Sequence, residues 1–341
     1  MARITFIWLS VLLLLCLAAS FLPFQALPGG SKSALGTVAV IDYQPEPASY
    51  ESAVVVSEDG YSGRQWAIPK IMAPQAWEVT SGEAGIIIAV LDTGIDKGHE
   101  DLAGKVIAEV NFTDSPTAND IYGHGTHIAG IIAAAAHNGV GIAGLANDCR
   151  LMNVKVADDH GVFYSSAAAK GVIWAVDHGA SVVNMSLVST ESSLELERAI
   201  SYAWSKGAVV IAAAGNLIGT KMAYPACYSD CIAVAATDTN DCVASWSSQG
   251  DWVDVAAPGV DIYSTLPGNR YAGKSGTSMA AAHVSGLAGL LFVLGSDRNN
   301  NGFVNDEVRA TIESGCDELD ISPVKWRINA FNAVNRALTS R

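Results

Sequence analysis

The chain has 341 residues, 50% of them hydrophobic and only 16% charged, which is ample for one large buried core and excludes a disordered or fibrous chain. A net charge of −14 excludes a surface that holds nucleic acid or an anionic membrane face by charge. Acidity of this kind serves solubility and says little about a substrate.

Arg3 precedes an uncharged apolar run over residues 4–24, broken by Pro23, and together they read as an export signal. Small residues at Ala18-Ala19-Ser20 offer a cleavage site. The run is also long enough to span a bilayer if it stays uncleaved. Residues 1–27 are therefore expected to be a signal peptide or an N-terminal membrane anchor. The protein is then secreted or periplasmic, and touches a membrane only through residues 4–24 if they are retained. Residues 28–62 are rich in Gly, Pro, Ser and acids and form a short linker-like segment, with β-like runs at 37–41 and 53–56. One domain is expected over 63–341.

Within that domain, residues 85–91 are a continuous apolar run of strand length, the pattern of a parallel strand covered on both faces. Further strands are expected at 151–156, 181–185, 208–213 and 232–236. Helices are expected at 165–178, 194–205 and 278–294. Such alternation predicts an α/β fold, a mainly parallel sheet between two helical layers with right-handed crossovers. Ligands of these sheets sit at the carboxyl ends of the strands.

Three short segments put chemistry at those ends. Asp92 closes the first strand in Leu91-Asp92-Thr93-Gly94. His124 stands between glycines in Gly123-His124-Gly125-Thr126-His127, just before a helix. Ser278 opens the last helix in Gly276-Thr277-Ser278-Met279-Ala280. A serine hydroxyl needs an adjacent base to become a nucleophile, and an imidazole with a pKa of about 6.5 suits that task near neutrality. An acid on the far side of the ring fixes its tautomer and stabilises the imidazolium. Ala212-Ala213-Ala214-Gly215-Asn216 ends a strand in Gly-Asn, and the Asn216 amide is a candidate donor to an oxyanion. His127, inside the helix, is expected to be a structural residue. Cys149, Cys227, Cys231, Cys242 and Cys316 follow the signal, an odd number that allows two bridges and a spare thiol, with Cys227 and Cys231 as the local pair.

The order Asp, His, Ser in these contexts resembles the subtilisin family of serine endopeptidases, and its thermitase-like branch in particular. Further motifs carry the resemblance from about Trp66 to Leu338: Ile71-Met72-Ala73-Pro74-Gln75-Ala76-Trp77, Asp101-Leu102-Ala103-Gly104-Lys105-Val106, Gly141-Ile142-Ala143-Gly144, Tyr224-Pro225-Ala226, Val255-Ala256-Ala257-Pro258-Gly259 and Arg327-Ile328-Asn329-Ala330. It implies a subtilisin-like three-layer α/β/α fold and hydrolysis of protein or peptide substrates through an acyl-enzyme. Asp92, His124, Ser278 and Asn216 would be orienting acid, base, nucleophile and oxyanion donor. Ser186, Leu187, Val188, Gly161, Val162, Ala213, Ala214 and Gly215 would line the substrate cleft. Val188 replaces the family's usual glycine, and His160-Gly161-Val162-Phe163-Tyr164 replaces its glycine-rich edge, so a narrowed specificity is expected. Ala282 stands where the family has proline and is expected to be neutral.

The resemblance also implies calcium and no organic cofactor. The loop His137-Asn138-Gly139-Val140-Gly141 matches the family's strong site, which assigns Asn138, Val140 and Ile142 as ligands with Asn111 in the place of an acid and Asp59 as a contributor. Asp297, Asn299 and Asn301 with Gly302 follow the first half of an EF-hand loop, whose twelfth position is Val308 instead of Glu. Asn305 is expected to cap the helix that follows. Residues 28–62 are about half of what a folding propeptide domain needs, so they read as a short propeptide-like segment.

Overall fold

The computed structural model describes residues 37–39, 58–319 and 324–340. The chain divides into a unit of residues 1–34, which lies outside the described residues with the expected signal, and a unit of residues 35–341. The β-like run at 53–56 also lies outside them. The second unit opens with β1 (Thr37–Ala39) and the short helices α1 (Ala67–Lys70) and α2 (Ala73–Trp77). β2 (Ile87–Asp92), β3 (Val106–Asn111), α3 (His124–Ala133), β4 (Arg150–Lys155), β5 (Val162–Tyr164) and α4 (Ser165–Asp177) follow. Next come β6 (Val182–Met185), α5 (Leu194–Ser205), β7 (Val209–Ala213), β8 (Cys231–Thr237) and β9 (Val255–Pro258). The chain then forms β10 (Ile262–Leu266), β11 (Arg270–Lys274), α6 (Thr277–Leu294), α7 (Asn305–Ser314), β12 (Asp317–Glu318), β13 (Trp326–Arg327) and α8 (Ala330–Thr339).

Nine strands make one sheet in the order β12-β13-β9-β8-β7-β6-β2-β4-β3, parallel throughout except for the terminal pair β12–β13. The order reverses at β2, which has β4 on one side and β6 on the other, so the topological switch point lies at its carboxyl end. Side chains alternate along each central strand, and both faces are covered. Ile88 and Val90 enter the core layer with α3 and α6, while Ala89 and Leu91 enter the layer with α4 and α5. Val209, Ile211 and Ala213 divide from Val210 and Ala212 in the same way.

The first layer is built on α6, which packs on α3 and on β6 to β9. Leu287, Leu290 and Leu291 of α6 are buried, each contributing roughly 1.5–3 kcal/mol by removal from water. By length and composition α6 could cross a membrane, but 89% of it is buried inside this domain, which identifies it as a core helix. Ala282 is buried within its regular turns.

Two local expectations are corrected. The five cysteines are free: Cys231 opens β8 and its side chain lies in the apolar layer under α5, so it forms no bridge with Cys227. Asn305 does not cap α7; it is the first helical residue, and its Nδ2 donates to the Trp204 carbonyl instead.

Candidate active site

Asp92 shares its parity with Ile88 and Val90, so it leaves the end of β2 on the face that carries α3. His124 is the first residue of α3, and its Nδ1 lies 2.8 Å from Asp92 Oδ1 and 2.9 Å from Oδ2, with both side chains fully buried. Gly125 permits this approach. A Cβ there would stand 2.1 Å from the Gly94 carbonyl oxygen and 3.0 Å from the Asp92 Cβ. His127 Nε2 lies 3.1 Å from the Ala272 carbonyl oxygen.

Sequence patterns missed the residues that hold this pair. Thr93 N donates to Asp92 Oδ1 at 2.7 Å, and Thr93 Oγ1 donates to the buried Asp120 at 2.9 Å. Asp120 in turn accepts from Gly123 N, Thr126 N and Thr126 Oγ1, fastening the first turn of α3 to the end of β2. Lys155 pairs in register with Asp92 and is fully buried. Its Nζ donates to Thr93 O at 2.6 Å, Asn119 O at 3.2 Å and Asp159 Oδ1 at 2.8 Å. That hydrogen bond holds the Asp159 carboxyl below the usual carboxylate range. Asp158 accepts from the backbone N–H groups of His160 and Val162, so both acids of this loop serve its own structure.

Ser278 lies in the first turn of α6, where backbone N–H groups have no intrahelical acceptor and favour negative charge. Its Oγ is 3.4 Å from the Ser186 carbonyl oxygen, a long contact that leaves the hydroxyl free to rotate. Ser186 Oγ donates to the Ser278 carbonyl at 3.0 Å and ties the segment Ser186-Leu187-Val188 to the first turn of α6. Asn216 follows β7 across this turn. Thr277 N and Thr277 Oγ1 both lie 3.0 Å from its Oδ1, and Gly215 N donates to Thr277 Oγ1 at 2.9 Å. A backbone N–H can only donate, so Thr277 fixes which end of the Asn216 amide is oxygen and turns Nδ2 the other way. Thr277 is a second positioning residue that no motif singled out.

Side chains crowd the glycines of both segments expected to line a cleft. The Val188 Cγ1 lies 3.1 Å from where a Cβ of Gly215 would stand, just beyond buried Ala213 and Ala214. On the opposite edge Gly161, at φ +76°, faces the ring of Tyr122, which a Cβ would meet at 3.0–3.3 Å. Val162 is half-buried, and Phe163 turns inward into the core. β1 pairs antiparallel with this edge, Val38 opposite Phe163.

The first calcium expectation is half corrected. Asn111 bonds Ser115, Thr117 and Thr113 within its own turn and does not join the 137–142 loop. The acid that does is Asp101, which accepts from Ile142 N at 2.8 Å and Asn138 Nδ2 at 2.9 Å, and burial pushes its carboxyl up. Asp59 holds the same loop through the N–H groups of His137, Asn138 and Gly139. Asn138 Oδ1 accepts from Val140 N. Two buried carboxylates, Asp59 and Asp101, thus hold this loop through its backbone N–H groups and the Asn138 amide.

A profile of the subtilase family matches residues 83–322. Thermitase of Thermoactinomyces vulgaris is 46% identical over 278 residues, 80% of this chain and 97% of that protein. The thermophilic serine proteinase of Bacillus sp. (strain AK1) is 44% identical over 305 residues, 88% of this chain and 74% of the other. Among solved structures, one of the proteases from Pseudoalteromonas arctica PAMC 21717 matches with a TM-score of 0.76 at 28% identity, covering 83% of this chain and 99% of that one.

The low carboxyl of Asp159 sets a pH dependence. Its folded value lies below its unfolded one, so its pairing with Lys155 contributes stability that is fully present above about pH 4 and lost as pH falls through the depressed value. Asp159→Asn is expected to lower the thermal midpoint at pH 7 and to leave it close to the parent's near pH 2. A difference that grows on acidification would contradict this.

Proposed function

The chain belongs to the subtilase family of serine endopeptidases, and from that premise we propose that Ser278 is its nucleophile, His124 its base, Asp92 the orienting acid and Asn216 the oxyanion donor. The observation that carries these roles is the buried contact of His124 Nδ1 with both Asp92 oxygens, which leaves Nε2 as the nitrogen that exchanges protons. Ser278 Oγ attacks the scissile carbonyl as Nε2 takes its proton. The developing oxyanion is met by Asn216 Nδ2 and by the Ser278 backbone N–H at the start of α6. Nε2 then protonates the leaving amine, and water attacks the acyl-enzyme by the same route in reverse.

The cleft is read as selective. Val188 stands before Gly215 at the pocket for the residue preceding the cleaved bond, and the Tyr122 ring lies against Gly161 on the opposite edge. Residues 1–27 are read as the signal or anchor of an exported enzyme, and 63–341 as its peptidase domain. Residues 28–62 are read as a short propeptide-like segment, and the pairing of Thr37–Ala39 with the cleft edge Val162–Tyr164 supports this. Calcium is read as binding at the loop of Asn138, Val140 and Ile142, where it would neutralise the buried carboxylates of Asp59 and Asp101. It has no part in the bond-breaking steps.

A fluorophosphonate probe is expected to label the purified protein and not Ser278→Ala; an unlabelled parent would refute the catalytic reading. Profiling against a peptide library is expected to give a narrow preference that Val188→Gly broadens, and equal cleavage of unrelated peptides by the parent would refute selectivity. Thr277→Val removes the Oγ1 hydrogen bonds with Asn216 and Gly215 and keeps the backbone N–H that also holds the Asn216 amide. It is expected to lower kcat up to about tenfold with KM little changed, less than the ~10²–10³ lost when an oxyanion donor itself is removed.

A further inference from the structure

A polar residue stands in the apolar layer between the sheet and α6. Asn184 of β6 shares its parity with Val182, so its side chain leaves the sheet on the side that holds α6, and it is fully buried. Val183 and Met185 face the opposite layer. A buried amide is costly unless its hydrogen-bonding groups are met. Asn184 meets them with two serines: Ser285 Oγ lies 2.8 Å from its Oδ1, and its Nδ2 lies 3.0 Å from Ser186 Oγ. Ser186 Oγ lies in turn 3.0 Å from the Ser278 carbonyl oxygen. The steps of peptide hydrolysis use neither Asn184 nor Ser285.

Periodicity explains the alignment. Ser285 follows Ser278 by seven residues, two turns of α6, so both serines lie on one helix face. Asn184 and Ser186 flank Met185, which faces the other layer. The bonds therefore run from Ser285 to Asn184 to Ser186 to Ser278, and the carbonyl at the end sets the direction of every one. A carbonyl oxygen only accepts, so Ser186 Oγ gives its hydrogen to Ser278 O. Its lone pairs then face Asn184, which must present the NH2 end of its amide. The amide oxygen is left facing Ser285, whose hydroxyl donates to it.

We propose that Asn184 and Ser285 are positioning residues for Ser278, acting through Ser186 on the peptide unit that follows it; this rests on the reading of Ser278 as the nucleophile. Ser278 is the second residue of α6, in the part of a helix that frays. The bond from Ser186 holds the plane of the Ser278–Met279 peptide against the sheet, and with it the direction in which Ser278 Oγ points. Without the Ser285 hydroxyl, the Asn184 amide loses the donor that fixes which way it faces. Turned over, it presents oxygen to Ser186, takes the Ser186 hydrogen and releases the Ser278 carbonyl. Thr277 orients the Asn216 amide through different atoms, so the two devices are separate.

The test is a double-mutant cycle on peptide hydrolysis by the full chain. Alanine suits a helix interior, so Ser285→Ala keeps α6 intact. It is expected to lower kcat about three- to tenfold with KM little changed, because a slightly misplaced nucleophile slows the chemical step. In a Ser186→Ala background, where the chain of bonds is already cut, the same change is expected to leave kcat where Ser186→Ala puts it. A role confined to packing would instead lower the thermal midpoint and reduce kcat by the same factor in both backgrounds. Unchanged kcat in Ser285→Ala, or an equal loss in both backgrounds, would overturn the proposal. Fluorophosphonate labelling of the parent separates the two readings. An unlabelled parent refutes the nucleophile and this role together, whereas a labelled parent with either of those kinetic results refutes this role alone.

Discussion

The chemistry proposed for this domain depends on one buried contact, the imidazole of His124 against the carboxylate of Asp92. Neither group could be placed there by its own segment alone. Asp92 is delivered by the pleat of a strand covered on both faces, whose parity sends it toward α3. His124 is delivered by a helix that starts at the point where the strand order reverses, and Gly125 lets that helix come close enough. A histidine and an acid sealed from water interact strongly, so the ring is held in one tautomer and one orientation.

Around that contact the structure spends polar groups on fixing geometry. Thr93, Asp120 and Thr126 join the strand end to the helix start, and the buried Lys155 ammonium braces the carbonyls behind them. Thr277 performs the matching task on the other side, aligning the Asn216 amide with the first turn of α6. The division of labour is consistent. Strand ends and helix starts present the reacting groups, and threonines, an aspartate and a lysine make their positions unique.

How much of this was legible in the sequence varied with the kind of signal. Strands buried on both faces announce themselves as unbroken apolar runs, and α5 was readable to the residue as Leu194–Ser205 because Ser193 caps it and acids fill its first turn. The edge strand Val106–Asn111 is half-exposed and mixed in character, so it carried no such run. The chemical groups were readable because each sits beside glycines or small residues. Thr277 and Asp120 were not, since their importance lies in which backbone groups they meet. Asp101 was part of a recognised motif yet missed as the acid at the 137–142 loop, because convergence of segments far apart in the chain leaves no local trace. The expected Cys227–Cys231 pair failed because proximity in sequence ignores the direction of the Cys231 side chain.

The central claim is that the Asp92–His124 contact, more than any surrounding feature, makes Ser278 reactive. Its most direct test is kcat for peptide hydrolysis by Asp92→Asn, a change that keeps the volume of the side chain and removes only its charge. With the fold intact by circular dichroism, the account requires a fall of about 10⁴ near neutral pH, the loss known for this substitution in such a triad. A variant that retained more than a tenth of the parent's turnover would contradict it.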